Sequence, residues 1–252
     1  MSTELPPILD PCCGSRMMYF QKHSPDVLYC DNRTLLTTLC DGRMLEVKPD
    51  IVCDFRSLPF PDATFKAVVF DPPHLTSGGE NSWIIKKYGK LPARDWKDYL
   101  GEGFNECWRV LRPDGTLLFK WSEEQIPLSE ILPLLPAEPL YGNLGRNRKQ
   151  IFLLFSKAPR EDILHPAWKQ NTTHDENSKD LVIMQVSSTH GLRQSFQQHF
   201  RLLRTGALLV LRIDDCPQSA KEITTMTNTE PLLGNRTRGD RNVFLIYNRP
   251  SC

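Results

Sequence analysis

The sequence predicts an α/β fold: a mostly parallel open sheet with helices on both faces, followed by a smaller α/β segment. Three observations carry this. Short apolar runs alternate with helix-like stretches from residue 7 to Phe155. Four of these runs end in an aspartate, at Asp10, Asp31, Asp54 and Asp71. Part of the pattern then returns 92 positions later, from Phe104 to Phe196 and from Ile151 to Val243.

The first run, Pro7-Ile8-Leu9-Asp10, breaks into the small-residue loop Pro11-Cys12-Cys13-Gly14-Ser15, and residues 17 to 23 read as a helix. That is how a nucleotide-binding βαβ unit begins. The second run, Val27-Leu28-Tyr29-Cys30, ends in Asp31, about where a ribose-hydroxyl acceptor stands after such a loop. A third, Ile51-Val52-Cys53, ends in Asp54. The fourth, Ala67-Val68-Val69-Phe70, ends in Asp71-Pro72-Pro73-His74. Two prolines forbid a helix there and force a stiff turn that presents a carboxylate, prolyl carbonyls and a ring to one small space. A flat nitrogenous substrate suits such a turn, its amino group donating to the carboxylate or a carbonyl.

Residues 96 to 111 read as a helix with one apolar stripe through Tyr99, Leu100, Phe104, Cys107, Trp108 and Leu111. Residues 116 to 121 read as a fifth strand, 128 to 135 as a short helix and 151 to 155 as a last strand. Any single aspartate after a strand is explained as well by turn formation or helix capping. Four in chain order, with the prolines at the fourth, argue for a shared crevice beyond the carboxyl ends of the strands. Neither a G-x-G-x-x-G nor a G-x-x-x-x-G-K-[ST] string is present, which disfavours a nicotinamide dehydrogenase and a P-loop enzyme.

With these motifs in place the chain resembles the class I S-adenosylmethionine-dependent methyltransferases, in the branch that methylates exocyclic amino groups. Ile8-Leu9-Asp10-Pro11-Cys12-Cys13-Gly14-Ser15 is similar to their first motif, Asp54 with Leu58-Pro59-Phe60-Pro61-Asp62 to the stretch near the adenine, and Asp71-Pro72-Pro73-His74 to the D/N-P-P-aromatic motif. Arg109-Val110-Leu111-Arg112-Pro113-Asp114-Gly115 looks like the turn before the fifth strand. The first loop lacks two of the usual glycines, and His74 stands where Tyr, Phe or Trp is usual. The resemblance covers residues 7 to 157 and implies a Rossmann-like seven-stranded sheet with S-adenosyl-L-methionine as cofactor. It implies that Asp10, Cys12 and Gly14 shape the methionine end, Asp31 the ribose, and Asp54 with Phe55 the adenine. The same resemblance implies that Asp71 and the Pro72 carbonyl accept from the target amine and that His74 stacks on its ring.

After the prolines an insert, Ser77-Gly78-Gly79-Glu80-Asn81-Ser82-Trp83-Ile84-Ile85-Lys86-Lys87-Tyr88-Gly89-Lys90, interleaves cations with aromatic rings. Trp83, Lys86, Lys87 and Tyr88 have the residue types that hold phosphates and unstacked bases, although a lid over any small substrate has the same composition. The formal net charge is +1 and the pI about 7.6, so bulk electrostatics favour neither nucleic acid nor membrane. No segment approaches a membrane span and the N-terminus has no apolar leader core. The eight cysteines form no C-x-x-C pair, so no metal is expected and a reducing cytoplasm is the expected compartment.

Residues 158 to 180 read as a polar linker, with His165 and His174 in it, dividing a domain at 1–157 from a segment at 181–252. That segment repeats the back half of the first domain without its glycine loop, ribose acid or Asp-Pro-Pro, Ser187-Ser188 standing for the two prolines. An unpaired first strand would need covering, by the first domain or by a second copy in a homodimer. Basic clusters at Arg146-Asn147-Arg148-Lys149 and Arg236-Thr237-Arg238-Gly239-Asp240-Arg241 are explained equally by solvated turns and by phosphate contacts. The expected activity is methylation of an exocyclic amino nitrogen in DNA or RNA. A small-molecule N-methyltransferase and a cofactor-binding pseudoenzyme that serves as an interaction module are the alternatives.

Overall fold

Strands β1 (Ile8–Asp10) and β2 (Val27–Asp31) are buried along their whole length, as expected of short apolar runs placed inside a parallel sheet. The structure, a computed structural model, describes residues 5–79, 82–142, 150–165, 175–214, 216–234 and 243–250. Two compact units emerge: residues 1–16, 27–113 and 117–156 form unit 1, and residues 17–26, 114–116 and 157–252 form unit 2.

Unit 1 continues with a hairpin of β3 (Leu35–Thr38) and β4 (Met44–Val47), then β5 (Ile51–Val52) and β6 (Phe65–Phe70). Next come α1 (Trp83–Tyr88), α2 (Trp96–Val110), β7 (Leu111–Ser122), α3 (Leu128–Ile131), β8 (Tyr141–Gly142) and β9 (Gln150–Ser156). Seven strands make one sheet in the order β5-β2-β1-β6-β7-β9-β8. Strand β1 pairs in parallel with β2 and β6, and β2 with β5, whereas β8 runs antiparallel to β9. The α/β sheet is thus mostly parallel, and the carboxyl ends of β1, β2, β5 and β6 share an edge.

Helix α2 buries Leu100, Phe104 and Cys107 of the stripe read from its sequence, together with Gly103 and Val110, whereas Tyr99 and Trp108 are half-buried and Leu111 falls in β7. Phe104 meets Phe70 edge-on at 5.1 Å and Phe119 at 4.9 Å between ring centres. At its last turn Arg109 binds the Phe60 and Leu58 carbonyls and the carboxylates of Asp62 and Glu106, while Glu106 accepts from the Leu58 amide. The Leu58-Pro59-Phe60-Pro61-Asp62 stretch is pinned to α2 by Arg109 and Glu106 together. Residues 111–115, expected as a turn, are already part of β7, which begins where α2 stops.

The helix expected at residues 17–23 does not form. That segment belongs to unit 2, where Tyr19 bridges Leu233 and the Phe20 amide donates to the Leu232 carbonyl at 3.1 Å. Tyr19 is fully buried. Seven residues make a marginal helix, and strand pairing with burial of a tyrosine outweighs their propensity.

Unit 2 comprises β10 (Ile163–Leu164), β11 (Lys179–Val186), α4 (Leu192–Arg201), β12 (Leu203–Ile213), α5 (Ala220–Thr227), β13 (Leu233–Gly234) and β14 (Val243–Asn248). Its sheet runs β10-β11-β12-β14-β13, with β10, β11 and β12 parallel and β14 antiparallel to both neighbours. The stretch read as a linker therefore contains a strand, because Ile163 and Leu164 pair with Leu181 and Val182. A core of Val182, Phe196, Leu209, Leu211, Ile223, Leu245 and Tyr247 fills this unit. His174 and the two basic clusters lie outside the described residues. Among the described residues no helix is long and apolar enough to cross a membrane.

Candidate active site

Because β1, β2 and β6 are parallel neighbours, the loops that leave their ends meet in unit 1 and enclose a cleft of about 170 Å³. Pro11 and Cys12 from the first loop form one side, and Asp31, Asn32 and Arg33 from the end of β2 the floor. Phe55 and Tyr99 supply an aromatic wall, and Asp71 and Pro73 the turn after β6. Tyr88, Gly89 and Lys90 close it from the insert.

Of the residues singled out from the sequence, Cys12, Asp31, Phe55, Asp71 and Tyr88 line this cleft. Asp10 is buried behind it and accepts from the Cys12 amide at 3.1 Å. Gly14 contributes its amide, which donates to Asp31 Oδ2 at 2.9 Å. Asp54 is turned onto Arg56, whose backbone amide, Nε and Nη2 bind its two oxygens at 2.7 to 3.1 Å. That guanidinium holds the Asp54 carboxyl below its ordinary range and also covers the Tyr99 ring at 4.2 Å.

Asp71 receives Lys120 Nζ at 2.6 Å, a lysine set in an otherwise apolar stretch of β7. Pro72 is buried, and Pro73 takes the lining position beside Asp71. His74 does not offer a ring to the cleft: it is 8% exposed and lies 5.3 Å from the Tyr88 ring and 6.3 Å from that of Trp121. On α1, Trp83 is 45% exposed, and Lys87 Nζ sits 5.6 Å from its ring centre and 5.2 Å from that of Tyr88. The Lys86 carbonyl accepts from Arg33 Nη1 at 3.4 Å. The base of the insert is clamped by Leu91 N to Leu75 O at 2.8 Å, and by Gln125 accepting from the Thr76 and Ser77 amides.

Burial, with Asp10 and Asp71 close by, pushes the Cys12 thiol well above its ordinary value. A neutral thiol among carboxylates has the opposite environment to a reactive thiolate.

No protein-family model matches the chain, and no curated protein sequence matches it. Among solved structures it is similar to the PH0226 protein of Pyrococcus horikoshii OT3, at 16% identity over 59% of this chain and 80% of the other, with a TM-score of 0.35. It is also similar to phosphoethanolamine N-methyltransferase 2 of Haemonchus contortus in two complexes. With phosphomonomethylethanolamine and S-adenosylhomocysteine the identity is 9% over 88% and 75% of the two chains, TM-score 0.31. With S-adenosyl-L-methionine it is 10% over 93% and 76%, TM-score 0.30.

Burial holds the His74 imidazole below its ordinary pKa of 6.5. The unfolded chain then binds the proton more readily than the folded one. The stability due to the neutral ring is complete above pH 6.5 and is lost as pH falls from there toward the folded value. Urea midpoints should therefore drop between pH 7.5 and 5.5, by less in His74→Phe than in the parent chain. His165 in unit 2, held down by burial and by Arg160, acts in the same direction. An equal drop in both proteins would refute this account of His74.

Proposed function

We propose that unit 1 is an S-adenosylmethionine-dependent methyltransferase acting on an exocyclic amino nitrogen in DNA or RNA. One observation carries the reading: the aspartate of the Asp-Pro-Pro turn and the acid at the end of β2 open into a single cleft with an aromatic wall. The residues fit the cofactor. Phe55 and Tyr99 line the side an adenine would take, Asp31 lies where a ribose diol would sit, and Pro11 with Cys12 borders the methionine end. When bound, S-adenosylmethionine supplies a methyl group on a positively charged sulfur, which needs no acid to leave.

The chain's own task is alignment. Asp71, held on one side by Lys120, accepts a hydrogen bond from the amine and so turns the nitrogen lone pair toward the methyl. As positive charge grows on the nitrogen, that carboxylate becomes a stronger partner. Trp83 and Lys87 support a nucleic-acid acceptor, an exposed ring with a half-buried cation on the helix whose Tyr88 lines the cleft suiting an unstacked base and its phosphate.

Unit 2 reads as a degenerate copy of the back half of unit 1. Its order β10-β11-β12-β14-β13 follows the pattern β1-β6-β7-β9-β8, with α4 before β12 as α2 precedes β7. Light scattering on the full chain tests whether two copies pair through it.

Titration calorimetry with S-adenosylmethionine, then transfer of a labelled methyl to pooled DNA, RNA and small amines, tests the activity. A nucleic-acid acceptor predicts binding that weakens steeply with salt, whereas a small amine predicts a salt-insensitive KM. Absence of cofactor binding at millimolar concentration would sink the enzyme reading altogether.

A further inference from the structure

The acid that the proposed cofactor needs is already fully engaged. Asp31 is 2% exposed and each of its oxygens accepts twice. Oδ2 takes the Gly14 amide at 2.9 Å and Arg33 Nη2 at 3.3 Å; Oδ1 takes the Arg33 amide and Arg33 Nε, both at 3.0 Å. A carboxylate has about four lone-pair sites, so no acceptor capacity is left for a diol. Two of the four donors are backbone amides fixed by the strand ends. The other two belong to one side chain, Arg33, and only they can leave without unfolding the loop.

Arg33 is also tied to the insert. Its Nη1 donates to the Lys86 carbonyl in the last turn of α1 at 3.4 Å. Gly89, just past that turn, has φ +77°, and a Cβ there would come within 3.4 Å of the guanidinium and 3.2 Å of Pro73. The chain approaches Arg33 this closely because no side chain intervenes. Arg33 therefore lines the cleft and joins the end of β2 to α1.

Resting on the methyltransferase reading above, we propose that Arg33 is a positioning residue that competes with the ribose diol for Asp31, so that a nucleoside ligand enters by displacing its guanidinium and thereby unfastens α1. The cleft is then a latched site. Cofactor affinity is set lower than the pocket chemistry alone would give, and seating of the cofactor is coupled to release of the helix that carries Trp83 and Lys87.

The sign of the expected effect is unusual, because removing a cationic residue from the cleft should tighten binding. Arg33→Met keeps most of the apolar stem and removes the donors. Calorimetry with S-adenosylhomocysteine on the full chain should give about a tenfold lower Kd in the variant, two charge-assisted hydrogen bonds no longer having to be broken. The gain should vanish for an analogue of S-adenosylhomocysteine lacking both ribose hydroxyls, since that ligand makes no claim on Asp31. A general loosening of the cleft would change both ligands alike, and that result overturns the proposal, as does an unchanged or weaker Kd for the parent ligand in Arg33→Met. Arg33→Lys, with a single donor group, should give a smaller gain of the same sign and serves if the methionine variant fails to fold. If the unaltered protein binds S-adenosylhomocysteine but Arg33→Met does not tighten it, the latch fails and the methyltransferase reading stands. If the unaltered protein does not bind at all, both fail.

Discussion

Asp71→Ala is expected to lower methyl transfer by about 10²–10³-fold while leaving the Kd for S-adenosylmethionine within about threefold of the parent value. The split follows from geometry. Asp71 lies at the turn after β6, where an amine would be aligned, and Asp31 and Phe55 on the cofactor side are untouched. The same substitution strands Lys120, whose ammonium is largely buried and loses its 2.6 Å partner. Leaving a mostly buried charge unpaired costs about 3 kcal/mol, so a lower melting temperature should accompany the lost activity. Asp71→Asn separates the two effects. Its amide oxygen still accepts from Lys120, so stability should largely return, but one neutral oxygen cannot also polarise a second donor, and activity should remain at least about tenfold down. An alanine variant that folds and keeps full kcat would remove Asp71 from the chemistry.

The sheet was legible because its runs are apolar and their spacing is regular, and the four strand-terminal aspartates do converge on one edge. What escaped the sequence is the partner of each acid. Arg33 and Arg56 each stand two residues after their aspartate, as Arg43 does after Asp41 in the β3–β4 hairpin turn. An Asp-x-Arg string at a strand end is itself a signal that the carboxylate has a local cation, and it was there to be read. Lys120 had a weaker signal, a lone charge inside the apolar run of β7. His74 shows the opposite failing: the motif supplies a ring at the right position, but neighbouring rings of Tyr88 and Trp121 bury it. Residues 17–23 escaped because their outcome is decided by a partner more than 200 residues away, and local propensity carries no trace of Leu233.

The two central glycines of α2 should respond to alanine with opposite signs. At Gly101 an added Cβ meets nothing within 4 Å, so Gly101→Ala should stabilise the protein by about 0.5–1 kcal/mol through helix propensity and a less flexible unfolded chain. At Gly103 the same methyl would fall 2.5 Å from Phe55 Cδ2, 2.6 Å from its Cε2 and 3.1 Å from Phe70 Cζ. Carbon atoms pack best at about 3.5–4.0 Å, so the Phe55 ring has to retreat by roughly 1 Å. Phe70 and Tyr99 already touch that ring edge-on at 5.3 and 5.2 Å, which leaves the cleft as the open direction. Overpacking of this kind costs about 1–3 kcal/mol, more than the propensity gain, so the net effect is destabilising. It also moves the aromatic wall into the space proposed for the adenine, and the Kd for S-adenosylmethionine should rise by at least about tenfold, a penalty of about 1.4 kcal/mol. Gly101→Ala should leave that Kd unchanged, which separates a change of helix stability from a change of cleft shape. Were both variants to bind the cofactor like the parent protein, Phe55 would be a core residue only, and the adenine would have to lie elsewhere along the strand ends.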